Sequence, residues 1–357
     1  MQIVAPKITS TKKRIKYGFY QFFDHFLGRK LSYKLSKRSR AKFYKNLEQE
    51  LKSKGKGRII PVDRVKNLSK EDFIKNYRDK KKPVIFEGAA DNWDAIKNWS
   101  LDYFKDLHGD DKIVLADQLN IDNPYESTTL SKIIDDIKGD TGKYYRFYPL
   151  LERHPEHILD FDYKWLRERR NPGTVFEAFQ VFMGGDGTYT PLHNASQCNL
   201  FTQVSGEKEW RLYHYHDTAV LDPDPARNVY RDAPFKKAEG PFNPFKPDHS
   251  TPYNLFQYID SYSVHLKPGD VFWNPPYYWH TVRNIGNSIG VGYRWLTPTY
   301  CFKNSFLYAL LDCFVTNPPV WKAYRISKKD INLIHLAEKG RLEEYLNEGK
   351  ETTSTRN

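Results

Sequence analysis

Thr190-Pro-Leu-His193-Asn-Ala195-Ser-Gln197-Cys-Asn199-Leu-Phe201 and, further along, Asn274-Pro-Pro-Tyr-Tyr-Trp-His280 are the stretches on which the fold turns. Each sets a histidine at the edge of a short apolar run behind a proline, the punctuation of strand entry rather than of a helix. Working outward, strands are expected at 175–183, 198–204, 209–213, 261–266, 270–273 and 290–295, with tight turns at Ser205-Gly206, Pro268-Gly269 and Asn284-Ile-Gly286. Repeated short strands with such turns predict a mainly β protein, a double-sheet jelly roll. On opposite strands of a jelly roll, His193 and His280 can converge inside the barrel, where imidazole is a good ligand for iron, nickel, copper or zinc.

Around this centre the chain divides into a basic helical arm (1–57), a jelly-roll domain (58–300) and a helical C-terminal segment (301–357). Pro83-Val-Ile-Phe86 is a buried-strand signal, and Asn98-Trp-Ser-Leu-Asp-Tyr-Phe104 reads as a helix entered through a Ser100 cap. The Pro-rich stretch 222–252, with aromatics spread through it, is expected to be an ordered insertion. Beyond residue 302, Phe306, Leu307, Leu310, Leu311 and Phe314 share one helical face that Pro318-Pro319 ends. No internal repeat is present.

Composition narrows the function classes. Three cysteines among 357 residues form neither a paired framework nor a CxxC zinc motif, which excludes a disulfide-stapled or zinc-finger fold. No run approaches the roughly 18 apolar residues of a spanning helix, and the mean hydropathy is −0.73. With no charged cap, apolar stretch and cleavage site at its N-terminus, the chain is expected in the cytoplasm.

The formal charge of +12 is unevenly placed. Residues 1–58 hold 17 Lys and Arg against Asp24, Glu48 and Glu50, so the arm alone carries the basicity. Phe19, Phe22, Phe23, Phe26 and Leu27 line one helical face there, followed by Arg29, Lys30, Lys34, Lys37, Arg38 and Arg40. Three roles compete for residues 17–40: a helix docked on the main domain, peripheral contact with an anionic membrane, and nucleic-acid contact, which ranks lowest.

Several motifs together resemble one family. Pro83-Val-Ile-Phe-Glu-Gly88, Trp93, Trp99-Ser-Leu-Asp-Tyr103, Thr190-Pro-Leu-His193, Asn199-Leu-Phe201, Gly206-Glu-Lys208-Glu-Trp210, Pro268-Gly-Asp270 and Asn274-Pro-Pro-Tyr-Tyr-Trp-His280 are similar, in order and spacing, to the JmjC/cupin-like (cupin_8) oxygenases. The resemblance covers about residues 58–298. It implies a double-stranded β-helix with flanking helices that uses Fe(II), 2-oxoglutarate and O2, and relatives of this family often dimerise through C-terminal helices. By the same resemblance His193 and His280 are metal ligands, while Thr190, Asn199, Lys208 and Tyr145 (or Tyr144) hold 2-oxoglutarate. A buried dicarboxylate needs such a cation, because an unpaired buried carboxylate is costly. Gln197, Tyr278, Tyr293 and Trp295 are expected to line a pocket for a small-molecule, peptide or acyl substrate, plain core packing being the alternative for the aromatics.

One departure stands out. The family's two-histidine, one-carboxylate triad has Asp or Glu two residues after the first histidine, and here that residue is Ala195. Strand alternation turns Asn194 and Cys198 to the other face, and Gln197 lies too far along the strand for easy ligation. Three outcomes follow. Chloride can complete the sphere, as in the radical halogenases; water or a more distant carboxylate such as Asp186 can do so in a hydroxylase; or the protein is an inactive binding or scaffold module. Asp270 belongs to a Pro-Gly-Asp turn.

Overall fold

The computed structural model describes residues 4–116, 125–139, 144–148, 150–223, 230–232, 243–246 and 253–313. Phe314, Pro318-Pro319 and most of the 222–252 insertion therefore lie outside the described residues. Eleven of the described strands form one sheet that folds over on itself. Two long strands make the fold. Cys198–Tyr213 pairs through its first half with Val271–Asn274 and through its second half with Ser261–Leu266. Trp279–Leu296 runs antiparallel to it over nearly its whole length and also pairs with Phe176–Gly184. The jelly roll expected from the strand pattern is present.

The expected turn at Ser205-Gly206 is a bend within one continuous strand. Gly206 has φ +62°, and a Cβ there would collide with the Asn287 carbonyl of the partner strand. Only glycine permits both the left-handed conformation and that approach. The partner strand bulges at the same corner, between Ile285 and Gly290, so the ladder turns without breaking.

Strand alternation sorts the core into two clusters. Val181, Met183, Leu200, Val291, Tyr293 and Trp295 face Phe73, Phe104, Ile134 and Leu150 of the surrounding helical elements. Phe182, Phe201, Trp210, Leu212, Phe272 and Val282 fill the inside of the roll. The helices begin at side-chain caps. Ser100 accepts from Tyr103 N at the start of Leu101–His108, as its sequence suggests, and Thr129 accepts from Lys132 N at the start of Leu130–Lys138. Each such cap contributes about 1 kcal/mol.

The N-terminal arm is a hairpin of two helices, Thr11–Leu27 and Arg29–Ser53, broken at Gly28. Of the phenylalanine face only Phe22 is half-buried, packed against the inner core; the fully buried seam lies elsewhere. Tyr17 and Tyr20 pack with Phe43, Leu47 and Leu51, and Asp24 pairs with Arg40 at 2.5 Å, both side chains buried. Phe19 is 59% exposed, and Ile15, Phe23, Leu27 and Leu31 are exposed with it; Leu35 reaches 70%. No helix among the described residues is long and apolar enough to cross a membrane.

Candidate metal and co-substrate site

His193 opens the strand His193–Ala195, and its cross-strand partner is His280 on Trp279–Leu296. Directly opposed residues of an antiparallel pair share a face. The rings stand 4.3 Å apart between centroids, with 54° between planes. Each ring is anchored by its own backbone: His193 Nδ1 donates to the Pro191 carbonyl at 2.8 Å, and His280 Nδ1 to the Tyr278 carbonyl at 2.9 Å. A carbonyl only accepts, so both Nδ1 atoms carry the proton, and each Nε2 is the lone-pair nitrogen. Trp210 stacks on His280 at 5.6 Å. Burial, with the neighbouring His193, holds the His280 pKa far below its usual range, so the ring is neutral at pH 7.

Further along the two long strands stand the buried polar side chains Thr190, Asn199 and Lys208. Thr190 is tied to the second strand, its hydroxyl accepting from Val282 N at 3.0 Å. Lys208 sits opposite Asn284 in register and is fully buried. Its ammonium donates to Asn284 Oδ1 and, at 2.8 Å, to Ser288 Oγ, both neutral oxygens. Burial pushes its pKa down to about 7. Gly290 and Gly292 let their neighbours close in: a Cβ on Gly290 would meet the Phe201 ring and the Lys208 stem, and one on Gly292 would lie 2.9 Å from Asn199 Oδ1. That oxygen is buried and without a partner in the structure.

The structure thus sets His193 directly against His280, and turns Asn199 and Lys208 to the same inner face further along the strands. Ala195 shares their strand face, is 7% exposed, and is fixed by its carbonyl, which accepts from Tyr277 N at 2.8 Å. Asn194 turns away and donates to the Tyr277 carbonyl, and Cys198 points into the helix-side core beside Asn171. Gln197 is half-buried, with an unpartnered Oε1.

Other sequence candidates stand elsewhere. Tyr293 and Trp295 pack in the helix-side cluster, because their odd positions alternate with Gly290, Gly292 and Arg294. Tyr145 is opposite Met183 and packs against that same cluster, while Tyr144 is paired in register with Gly184. Tyr278 packs with Tyr215 and Tyr262 in the inner core and bears on the site only through the carbonyl that anchors His280. Asp186 is spent on the turn, accepting from Gly286 N, and Asp270 is clamped by Arg64 at 2.9 and 3.0 Å. Sequence reasoning missed Asn284, Ser288 and Arg294. Arg294 is buried, opposite Asn199 in register, with its guanidinium 5.6 Å from the Phe182 ring. A lone cation on the inward phase of Gly-Val-Gly-Tyr-Arg-Trp was the available signal.

The model of the cupin-like domain family matches residues 70–299. The chain belongs to the cupin-like family. Its cupin-like domain contains every residue of the site just described. Among curated proteins it is 29% identical over 246 residues to "Lysine-specific demethylase 8" of Danio rerio, covering 66% of this chain and 58% of that one. It is 27% identical to "Jumonji C domain-containing protein 5" of Drosophila melanogaster, covering 64% and 58%. With "tRNA wybutosine-synthesizing protein 5" of Mus musculus it shares 23% identity over 71% of this chain and 84% of that one. The aligned part spans little more than half the length of the demethylase-named relatives.

Proposed function

We propose that this protein is an Fe(II)- and 2-oxoglutarate-dependent oxygenase that attacks an unactivated C–H bond. The observation that carries the proposal is the fully buried Lys208, set on the same inner face as two opposed, neutral, backbone-anchored imidazoles. A carboxylate that reaches a buried lysine makes a charge-assisted hydrogen bond shielded from water, which is stronger than the same bond at the surface. The donor set fits the cofactors. His193 and His280 would hold the metal, and an elongated dicarboxylate would lie along the inner face with its far end accepting from Lys208. When bound, iron and 2-oxoglutarate supply the oxidant: O2 and 2-oxoglutarate give succinate, CO2 and one oxygen atom for the substrate C–H. The protein's part is to orient the imidazoles through Pro191 and Tyr278, to neutralise the distal carboxylate through Lys208, and to exclude water from the inner face with Phe182, Phe201 and Trp210.

The test is direct. Protein loaded anaerobically with Fe(II) and 2-oxoglutarate should form succinate when O2 is admitted, and His193→Ala and His280→Ala should each abolish it. Wild type that binds neither Fe(II) nor 2-oxoglutarate would leave the binding-module alternative in possession.

A second reading of the outcome rests on Ala195. A buried methyl where relatives of this site chemistry carry a carboxylate leaves room for an exchangeable ligand, water for hydroxylation or chloride for halogenation.

For the arm we propose contact with an anionic membrane surface. Phe19, Phe23, Leu27, Leu31 and Leu35 are exposed together, and Lys12, Lys16, Lys30, Lys34, Lys37 and Arg38 are exposed around them. Apolar burial plus roughly 1 kcal/mol per basic residue near anionic lipid is the balance that holds an interfacial helix.

A further inference from the structure

A second cluster of ligand-type side chains lies far in sequence from the barrel site, where the helix Leu101–His108 meets the 3-10 helix Pro155–Asp160. His108 Nε2 and His157 Nε2 face each other at 2.8 Å. His157 Nδ1 bonds Asp160 Oδ2 at 3.0 Å, and that same oxygen accepts from Trp99 Nε1 at 2.8 Å. A carboxylate accepts, so His157 carries its proton on Nδ1 and turns a lone pair on Nε2 toward His108. Glu156 adds a carboxylate, and the three ligand atoms all lie within 4.8 Å of one another. His154 stacks on His108 at 3.5 Å and is itself held by Asp111 at 3.0 Å.

We propose that His108, His157 and Glu156 form a second metal site, for a first-row divalent cation of the zinc, cobalt or nickel class. Four features support it. Two imidazoles and one carboxylate are the donor types these ions prefer over magnesium or calcium. Two metal–nitrogen bonds of about 2.1 Å at the right angle of a six-coordinate ion put the nitrogens about 3.0 Å apart, within a few tenths of an ångström of the observed separation, and the tetrahedral angle of zinc, which needs about 3.4 Å, would require the rings to spread slightly. The Asp160–His157 bond, backed by Trp99, is the outer-shell pairing that fixes the tautomer and raises the basicity of a ligating histidine. His108 also lines, with Asp111 and His154, a surface cleft of about 500 Å3, so one side of the cluster borders solvent. Bound there, the ion ties together two elements that are distant in sequence, and so acts on stability rather than on the barrel chemistry.

Co(II) is the probe, used on the full-length protein in a His193→Ala/His280→Ala background that removes the barrel ligands. Equilibrium dialysis should leave one equivalent of Co(II) bound, and Zn(II) should compete for it and raise the Tm of this variant. Adding His108→Gln should abolish retention. Glu156→Gln, a shape-conserving change at an exposed position, should weaken affinity at least tenfold with an unchanged metal-free Tm, as should Asp160→Asn through the outer shell. Absence of Co(II) from the folded background variant would overturn the proposal, as would retention unchanged by His108→Gln or by Glu156→Gln. The trio would then be a hydrogen-bonded imidazole cluster only.

Discussion

Gly290 stands so close to Lys208 that a Cβ on it would lie 3.1 Å from the lysine Cε and run into the Phe201 ring behind it. The room for the buried lysine is therefore made on the opposite strand. Gly290→Ala should force the lysine stem or the phenylalanine off its rotamer at a cost of about 1–3 kcal/mol. It should also weaken 2-oxoglutarate binding by at least tenfold. Urea unfolding and titration calorimetry measure the two effects separately. A variant as stable as wild type with full affinity would show that the co-substrate does not bind beside Lys208.

The same lysine predicts a pH dependence of known sign. Its folded pKa is about 7, against roughly 10.4 in the unfolded chain. Between those values the unfolded state binds more protons, so stability of the ligand-free protein rises with pH through that window, by up to about 1.4 kcal/mol per unit from this group. A bound carboxylate favours the ammonium, so 2-oxoglutarate affinity should fall as pH rises above 7. Lys208→Met should flatten both slopes relative to wild type. Melts and calorimetry from pH 6.5 to 9 check this, and identical slopes in the two proteins would refute it.

Much of this was readable along the chain, for reasons of strand phase. From His280 through Asn284 to Gly290, Gly292 and Arg294, even-numbered positions face inward throughout, because the bulge between Ile285 and Gly290 preserves parity. Tyr293 and Trp295 were expected in the pocket on aromatic character, and phase sets them in the other cluster. Phase was the better guide there, and it fails on the neighbouring strand. Asn199 and Phe201 face inward at odd positions and Lys208 and Trp210 at even ones, because the chain reverses its faces at Gly206. A single glycine in a strand pattern signals a bend or a turn alike. The partners of Lys208 were illegible for the same reason: Asn284 and Ser288 meet one ammonium only because the corner folds them together. On the arm, periodicity located the phenylalanine face correctly but not its side. Tyr17, Tyr20, Asp24 and Arg40 form the buried seam, and nothing in a 3.6-residue period tells a core face from a docking face.

That exposed face makes the next prediction. Wild-type protein should co-sediment with phosphatidylserine-containing vesicles and be released by salt, since the basic flank acts within a Debye length of about 10 Å at 0.1 M. Phe19→Ser/Phe23→Ser should lose binding even at low salt, whereas Lys30→Glu/Lys34→Glu should lose chiefly the salt-sensitive part. Wild type that stays in the supernatant as a dimer of the 42.1 kDa chain by light scattering would assign the face to self-association instead.

Ala195 decides the reaction outcome, because it stands on the inner face beside His193 with its backbone pinned to Tyr277. An aspartate grown from this position starts from a fixed strand and carries an anion toward the two imidazoles. Ala195→Asp should therefore tighten Fe(II) binding by adding a charged oxygen ligand to the cation, and should do so whichever ligand fills the position in wild type. Chloride separates the two outcomes. If water completes the wild-type sphere, Fe(II) affinity is the same with and without chloride, and succinate formation is too. If chloride does so, it raises Fe(II) affinity in wild type, the substitution abolishes that dependence, and any halogenated product gives way to a hydroxylated one. Anaerobic Fe(II) titrations of both proteins, with chloride replaced by acetate in one series, read the difference. An aspartate variant that binds iron no better than wild type would place the metal elsewhere than between His193 and His280.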